Sequence, residues 1–175
     1  MTRSSGTLRR IIGVDPGLAS TGWGVLEFSE GRLRYLAHGC IETSPEENRG
    51  DRLLVIHKAF LKVLKSYKPS EASMENIYFG KNISSAMSVA EARGVLLLTL
   101  TAQGLPLLEL TPHAIKQAVV GVSRADKKQI QEMVRLILGL KEIPKPDHAA
   151  DALGAAICAA HTGRLNNTIN LPAEK

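Results

Sequence analysis

Four side chains in this sequence are of types that hold divalent cations or move protons: Asp15, Glu75, His148 and Asp151. Asp15 follows a short apolar run, Ile11 to Val14, and precedes Pro16-Gly17. Glu75 interrupts the mostly apolar stretch from Ala72 to Tyr78, where an ionised carboxylate needs a partner if it is buried. His148 and Asp151 stand three residues apart, the spacing of one helical face, at the start of a segment rich in alanine. Three acids brought within a few ångströms of one another would repel, and one would take up a proton unless a divalent cation neutralised them. Carboxylates with open water positions suit Mg²⁺ or Mn²⁺. Two such ions about 3.5 to 4 Å apart activate an attacking water and stabilise a leaving oxygen in phosphodiester cleavage. Each residue also has a plainer reading. An Asp before Pro-Gly is a turn former, and a His in a first helical turn is often only a surface residue. Asp147, directly after Pro146, is expected to cap the helix rather than to bind a ligand.

The elements that must position these residues follow from the hydrophobic pattern. Ile11 to Val14, Thr21 to Phe28 and Leu33 to Ile41 read as three strands joined by glycine-containing turns. Between Asp51 and Tyr67, apolar residues at Leu53, Ile56, Phe60, Leu64 and Tyr67 mark one helical face, and Lys58, Lys62 and Lys65 a solvated one; Lys68-Pro69 ends that helix. Ala72 to Tyr78 is a fourth strand, Ser84 to Gln103 a helix stopped by Gly104, and Leu107 to Leu110 a fifth strand. Thr111-Pro112 opens a helix that Gly121 closes, and two more follow, about Asp126 to Leu138 and Asp147 to Thr162. The order β-β-β-α-β-α-β-α-α predicts an α/β fold, a mixed five-stranded sheet with helices on both faces. In it the fourth strand returns parallel to the first and beside it, so that Asp15 and Glu75 lie near the carboxyl ends of adjacent strands, where such sheets bind ligands. One domain over residues 10–162 is expected, flanked by a flexible N-terminus, 1–9, and a tail, 163–175.

Composition bounds the rest. The 175 residues are 44% hydrophobic and 22% charged, which excludes wholesale disorder and repetitive fibres. Lys plus Arg is 22 against 17 Asp plus Glu, a net charge of +5 and a mild lean toward a polyanion. Cys40 and Cys158 lack metal-binding spacing and read as buried free thiols of a reducing compartment. The apolar stretches are too short for a membrane span, and a cytoplasmic location is expected.

Four segments, Ile11-Ile12-Gly13-Val14-Asp15-Pro16-Gly17, Met74-Glu75-Asn76-Ile77-Tyr78, Lys116-Gln117-Ala118-Val119-Val120-Gly121 and His148-Ala149-Ala150-Asp151-Ala152-Leu153, together closely resemble the RuvC family of bacterial Holliday junction resolvases. The resemblance runs from about Arg10 to Thr162, in order. It implies an RNase H-like nuclease domain, a homodimer, and paired metal-dependent cuts in a four-way DNA junction during recombination and repair, with RuvA and RuvB as partners. By the same resemblance Asp15, Glu75 and Asp151 match acidic ligands of Mg²⁺ or Mn²⁺, two ions per site, and His148 stands where many members carry Asp. A neutral imidazole is the softer ligand and favours Mn²⁺. Tyr78 falls where the family places an aromatic against an unpaired base, with strand packing as its plainer role. Lys116 and Lys127 match phosphate-contacting positions, and Arg124, Lys128 and Lys81 enlarge that basic patch. The helix from Met87 to Leu100 is apolar on more than one side, which suggests a second buried face, either a central core position or a dimer contact; the two-fold symmetry of a four-way junction favours the dimer. Three rivals stand beside this reading. An actin-like ATPase would need a second lobe, a YqgF-like RNA nuclease shares the fold but is generally shorter, and a non-catalytic junction-binding module would have no use for the metal-site positions.

Overall fold

The computed structural model describes residues 7–76, 83–122 and 124–162, without the side chains of 83–85. Its strands are β1 (Arg9–Asp15), β2 (Ser20–Ser29), β3 (Arg32–Glu42), β4 (Glu71–Glu75) and β5 (Leu107–Leu110). Its helices are α1 (Arg49–Tyr67), α2 (Ile83–Ala102), α3 (Pro112–Val120), α4 (Lys127–Ile137) and α5 (Asp147–His161). The five strands form one sheet in the order β3-β2-β1-β4-β5. The first three make an antiparallel meander, while β4 lies parallel to both β1 and β5. This is the mixed sheet that the sequence predicts, with helices on both faces.

Alternation along the strands assigns each side chain to a face. In β1, Ile12 and Val14 join a core with Ile56, Phe60 and Leu64 of α1 and Ala92, Leu96 and Leu100 of α2. Ile11 points the other way, into a core with Leu153 and Ile157 of α5, Ile115 and Val119 of α3 and Val134 of α4. Arg9 lies on the α5 side as well. Its guanidinium donates to the Ala159 and Ala160 carbonyls at the end of α5 and pairs with Glu71 of β4 at 2.6 Å. A cation at a helix C-terminus satisfies carbonyls that lack helical partners and complements the dipole. On the opposite face the buried Glu27 of β2 accepts from Arg10 and Arg34, which hold its carboxyl below the usual range.

Helix ends follow local chemistry. Thr111 accepts from the Ala114 amide with Pro112 in the first turn, and Gly121 closes α3 at φ 79°. Asp126 and Gln129 form a capping box at α4. Two expectations fail. Asp147 does not cap α5: the cap residue is Pro146, with no side-chain cap bond, and Asp147 is the first helical residue. Both cysteines are free, but only Cys158 is buried; Cys40, half-buried in β3, has its Sγ 2.8 Å from Ser20 Oγ. The fourth strand ends at Glu75, short of the predicted Tyr78: Asn76 is already outside it, and Ile77 and Tyr78 lie outside the described residues.

Candidate active site

The alternation that sends Arg9 and Ile11 toward α5 also sends Gly13 and Asp15 there. In β4 the same rule places Glu71, Ser73 and Glu75 on the α5 side, because Ala72 and Met74 belong to the opposite core. The strands are parallel neighbours with Val14 beside Met74, so Asp15 and Glu75 end together at one edge of the sheet. The last helix reaches that edge only because nothing stands between it and the strands. A Cβ on Gly13 would come within 1.9 Å of the Ala152 carbonyl oxygen, and one on Gly22 within 2.0 Å of the His148 carbonyl oxygen. On the helix side, Ala149, Ala152, Ala155 and Ala156 are fully or almost fully buried. Small residues on both surfaces thus set the height of α5 above the sheet, and with it the height of His148 and Asp151.

His148 Nδ1 lies 2.6 Å from Asp15 Oδ2. One ligand atom each from Asp15, His148 and Asp151 falls within 4.8 Å of the others. Glu75 is outside that group of three, yet it feels both acids. Burial pushes its carboxyl up, Asp15 and Asp151 push it further, and Lys116 pulls it back. Burial and then Asp15 likewise raise Asp151, against Lys127. The hydrogen bond to Asp15 raises His148, against partial burial. Burial and the neighbouring acids thus disfavour ionisation of Glu75 and Asp151, and two or three acidic oxygens with an imidazole nitrogen form a donor set that fits a hard divalent cation. Chain-own charge partly fills the need: Lys127 Nζ is 3.3 Å from Asp151 Oδ2 and 3.3 Å from Asp147 Oδ2.

The other predicted residues are placed unevenly. Lys116 is half-buried on α3 and acts on Glu75; Arg124 and Lys128 are exposed, with Lys128 beside Lys127 in the first turn of α4. Tyr78 and Lys81 lie outside the described residues. Three contributors escape a reading of the sequence. The glycine seating of α5 is one, and the Lys127–Asp147 pair is another. The third is Arg93 of α2, whose side chain is only 13% exposed and pairs with Glu109 at 2.7 Å. It also donates to the Glu75 carbonyl at 3.0 Å and approaches Asn76 Oδ1 at 3.4 Å. A charged residue in an apolar helix was the available signal, but its partners are visible only in the fold.

Comparison with known proteins identifies the family. The family model "Crossover junction endodeoxyribonuclease RuvC" matches residues 11–159. The RuvC of Treponema denticola is 52% identical over 153 residues, covering 87% of this chain and 86% of the relative. That of Chloroflexus aurantiacus is 47% identical, covering 87% and 93%. Among solved structures, Thermus thermophilus RuvC in complex with a Holliday junction substrate superposes with a TM-score of 0.82 at 35% identity, covering 87% of this chain and 93% of that one. The adjacent carboxylate-bearing strand ends, the histidine and aspartate on a closely seated α5, and these matches together place the chain in the RuvC family of crossover junction endodeoxyribonucleases, with its RNase H-like fold.

Proposed function

We propose that this protein resolves four-way DNA junctions as a homodimer, each subunit cutting one strand at its Asp15, Glu75, His148 and Asp151 site. The carrying observation is the convergence of Asp15, His148 and Asp151 within 4.8 Å at the end of β1, with Glu75 at the end of β4. These four residues would hold Mg²⁺ or Mn²⁺, two ions in the full site. The bound metal supplies a water of lowered pKa and Lewis-acid stabilisation of the scissile phosphate. The protein's own groups do the remaining work. Asp15 fixes the His148 ring through Nδ1. Lys116 and Lys127, with Arg124 and Lys128 further out, neutralise backbone phosphates and give salt-sensitive binding without sequence choice. Tyr78 stacks on an unpaired base at the crossover and Lys81 adds to the phosphate contacts.

The dimer reading has its own support. Met87 and Leu98 of α2 are 55% and 68% exposed, on the side of the helix turned away from Ala92, Leu96 and Leu100. Leu54 and Val55 of α1 add exposed apolar surface to the same layer of the fold. A two-fold dimer through this layer matches the approximate two-fold symmetry of a four-way junction. Cooperation with RuvA and RuvB, and a cytoplasmic location, belong to the same proposal; among the described residues no helix is long and apolar enough to cross a membrane.

The test is cutting of a synthetic four-way junction beside a linear duplex of the same sequence, with Mg²⁺, Mn²⁺ or EDTA. Paired cuts in the junction alone, abolished by EDTA and by Asp15→Asn, are expected. Equal cutting of the duplex, or junction binding without cutting under any metal, overturns the reading.

A further inference from the structure

Asp147 has no part in the four-residue cluster, yet it shares a partner with it. Asp147 and Asp151 are one helical turn apart on α5, and like charges at that spacing are mutually unfavourable. Lys127, at the first turn of α4, reaches across with Nζ 3.3 Å from an oxygen of each. Gln131 stands one turn further along α4 and is buried; its Nε2 also acts on Asp147, but more weakly than Lys127 and without a well-formed hydrogen bond. The ammonium is therefore the cluster's built-in counter-charge. A divalent cation on Asp151 would repel the ammonium beside it and weaken that contact, since the two positive centres would share one carboxylate. A lysine driven off Asp151 into open solvent would regain its rotamer freedom and would no longer be held beside the reacting phosphate. Asp147 offers the nearest alternative seat, already in contact, and its side chain is 63% exposed and free of the cluster.

We propose that Asp147 is a positioning residue that takes the Lys127 ammonium over from Asp151 as the cluster fills with a divalent cation, keeping the lysine beside the site for the substrate's phosphate. This rests on the metal-binding reading above and adds a handover between two acids of α5. It differs from a simple electrostatic contribution of Asp147, and from direct ligation, in one respect: its effect passes through Lys127.

The test is a double-mutant cycle on metal affinity, read by calorimetric titration of Mn²⁺ into the DNA-free, full-length protein: the original chain, Lys127→Met, Asp147→Asn and the double variant. Both positions are exposed, and Lys127→Gln serves if the Met variant misfolds. Lys127→Met is expected to tighten Mn²⁺ binding. Asp147→Asn is expected to weaken it about fivefold, within the range of coupling between contacting residues. In the Lys127→Met background Asp147→Asn should change affinity less than about twofold. An Asp147→Asn effect of the same size in both backgrounds overturns the handover while leaving the metal site intact. So does a Lys127→Met affinity equal to or weaker than the original. Failure of the original chain to bind Mn²⁺ at all overturns both readings.

Discussion

Replacing Gly22 by Ala tests whether the seating of α5 sets the chemistry. The added Cβ would lie 2.0 Å from the His148 carbonyl oxygen, whereas real Cβ contacts essentially never fall under 3.0 Å. The start of α5 must therefore retreat by at least 3.0 − 2.0 = 1.0 Å. If His148 moves directly away from Asp15, their 2.6 Å contact opens to about 3.6 Å, outside hydrogen-bond range. A misplacement of about 1 Å at a reacting centre costs on the order of 10²-fold in rate. The overpacking itself costs about 1 to 3 kcal/mol, a loss of several degrees in melting temperature for a chain of this size. Gly50 is the control: it is helical, a Cβ there meets nothing within 4 Å, and Ala should stabilise the fold slightly. The assay is single-turnover cutting of a four-way junction, with junction binding in EDTA and thermal unfolding measured alongside. Gly22→Ala should cut about 10²-fold more slowly while binding the junction in EDTA within about twofold of the original. Cutting within threefold of the original would show that α5's height above the sheet does not control the site.

Three further outcomes can be checked. Arg93→Gln removes the guanidinium that holds the Glu75 carbonyl and Glu109, and should destabilise by about 1.5 to 3 kcal/mol while slowing cutting; unchanged melting would deny Arg93 its bracing role. Glu27 has a folded pKa below the ordinary 4.5, so its pairing stabilises fully above about pH 4.5 and is lost as pH falls through the lower folded value. Glu27→Gln should therefore lower the melting temperature at neutral pH, with the gap closing in acid; a pH-independent gap would refute the ionic origin. His148 is raised by Asp15, and a protonated imidazole has no lone pair for a cation, so at low metal concentration cutting should fall as pH drops through that raised value. His148→Asp should shift the acid limb downward and reduce any advantage of Mn²⁺ over Mg²⁺; identical profiles would remove His148 from the metal site.

The sheet and the cluster were legible for the same reason. Period-two runs and glycine turns specify the meander, and a right-handed crossover returns β4 beside β1, which brings Asp15 and Glu75 to one edge without knowledge of any contact. The i, i+3 spacing then places His148 and Asp151 on one side of α5. What stayed hidden depends on two surfaces at once. Gly13 and Gly22 lie within the predicted strands, and nothing in the strand pattern says that a helix must pass over them. Asp147 reads as a cap because Pro146 precedes it, yet α4 supplies Lys127, and an ion pair between helices has no periodicity to betray it. Arg93 is hidden likewise, since its acceptors sit on β4 and β5.

Eleven residues of α5, from Ala149 to Ala160 apart from Asp151, are buried, and the same helix carries His148 and Asp151. A nuclease built on a surface loop can lose its blades while its body stays intact. Here the blade is the keel: heat or denaturant that frees His148 and Asp151 must also lift α5 off Ile11 and Leu26, so loss of cutting and loss of structure should coincide in a single transition.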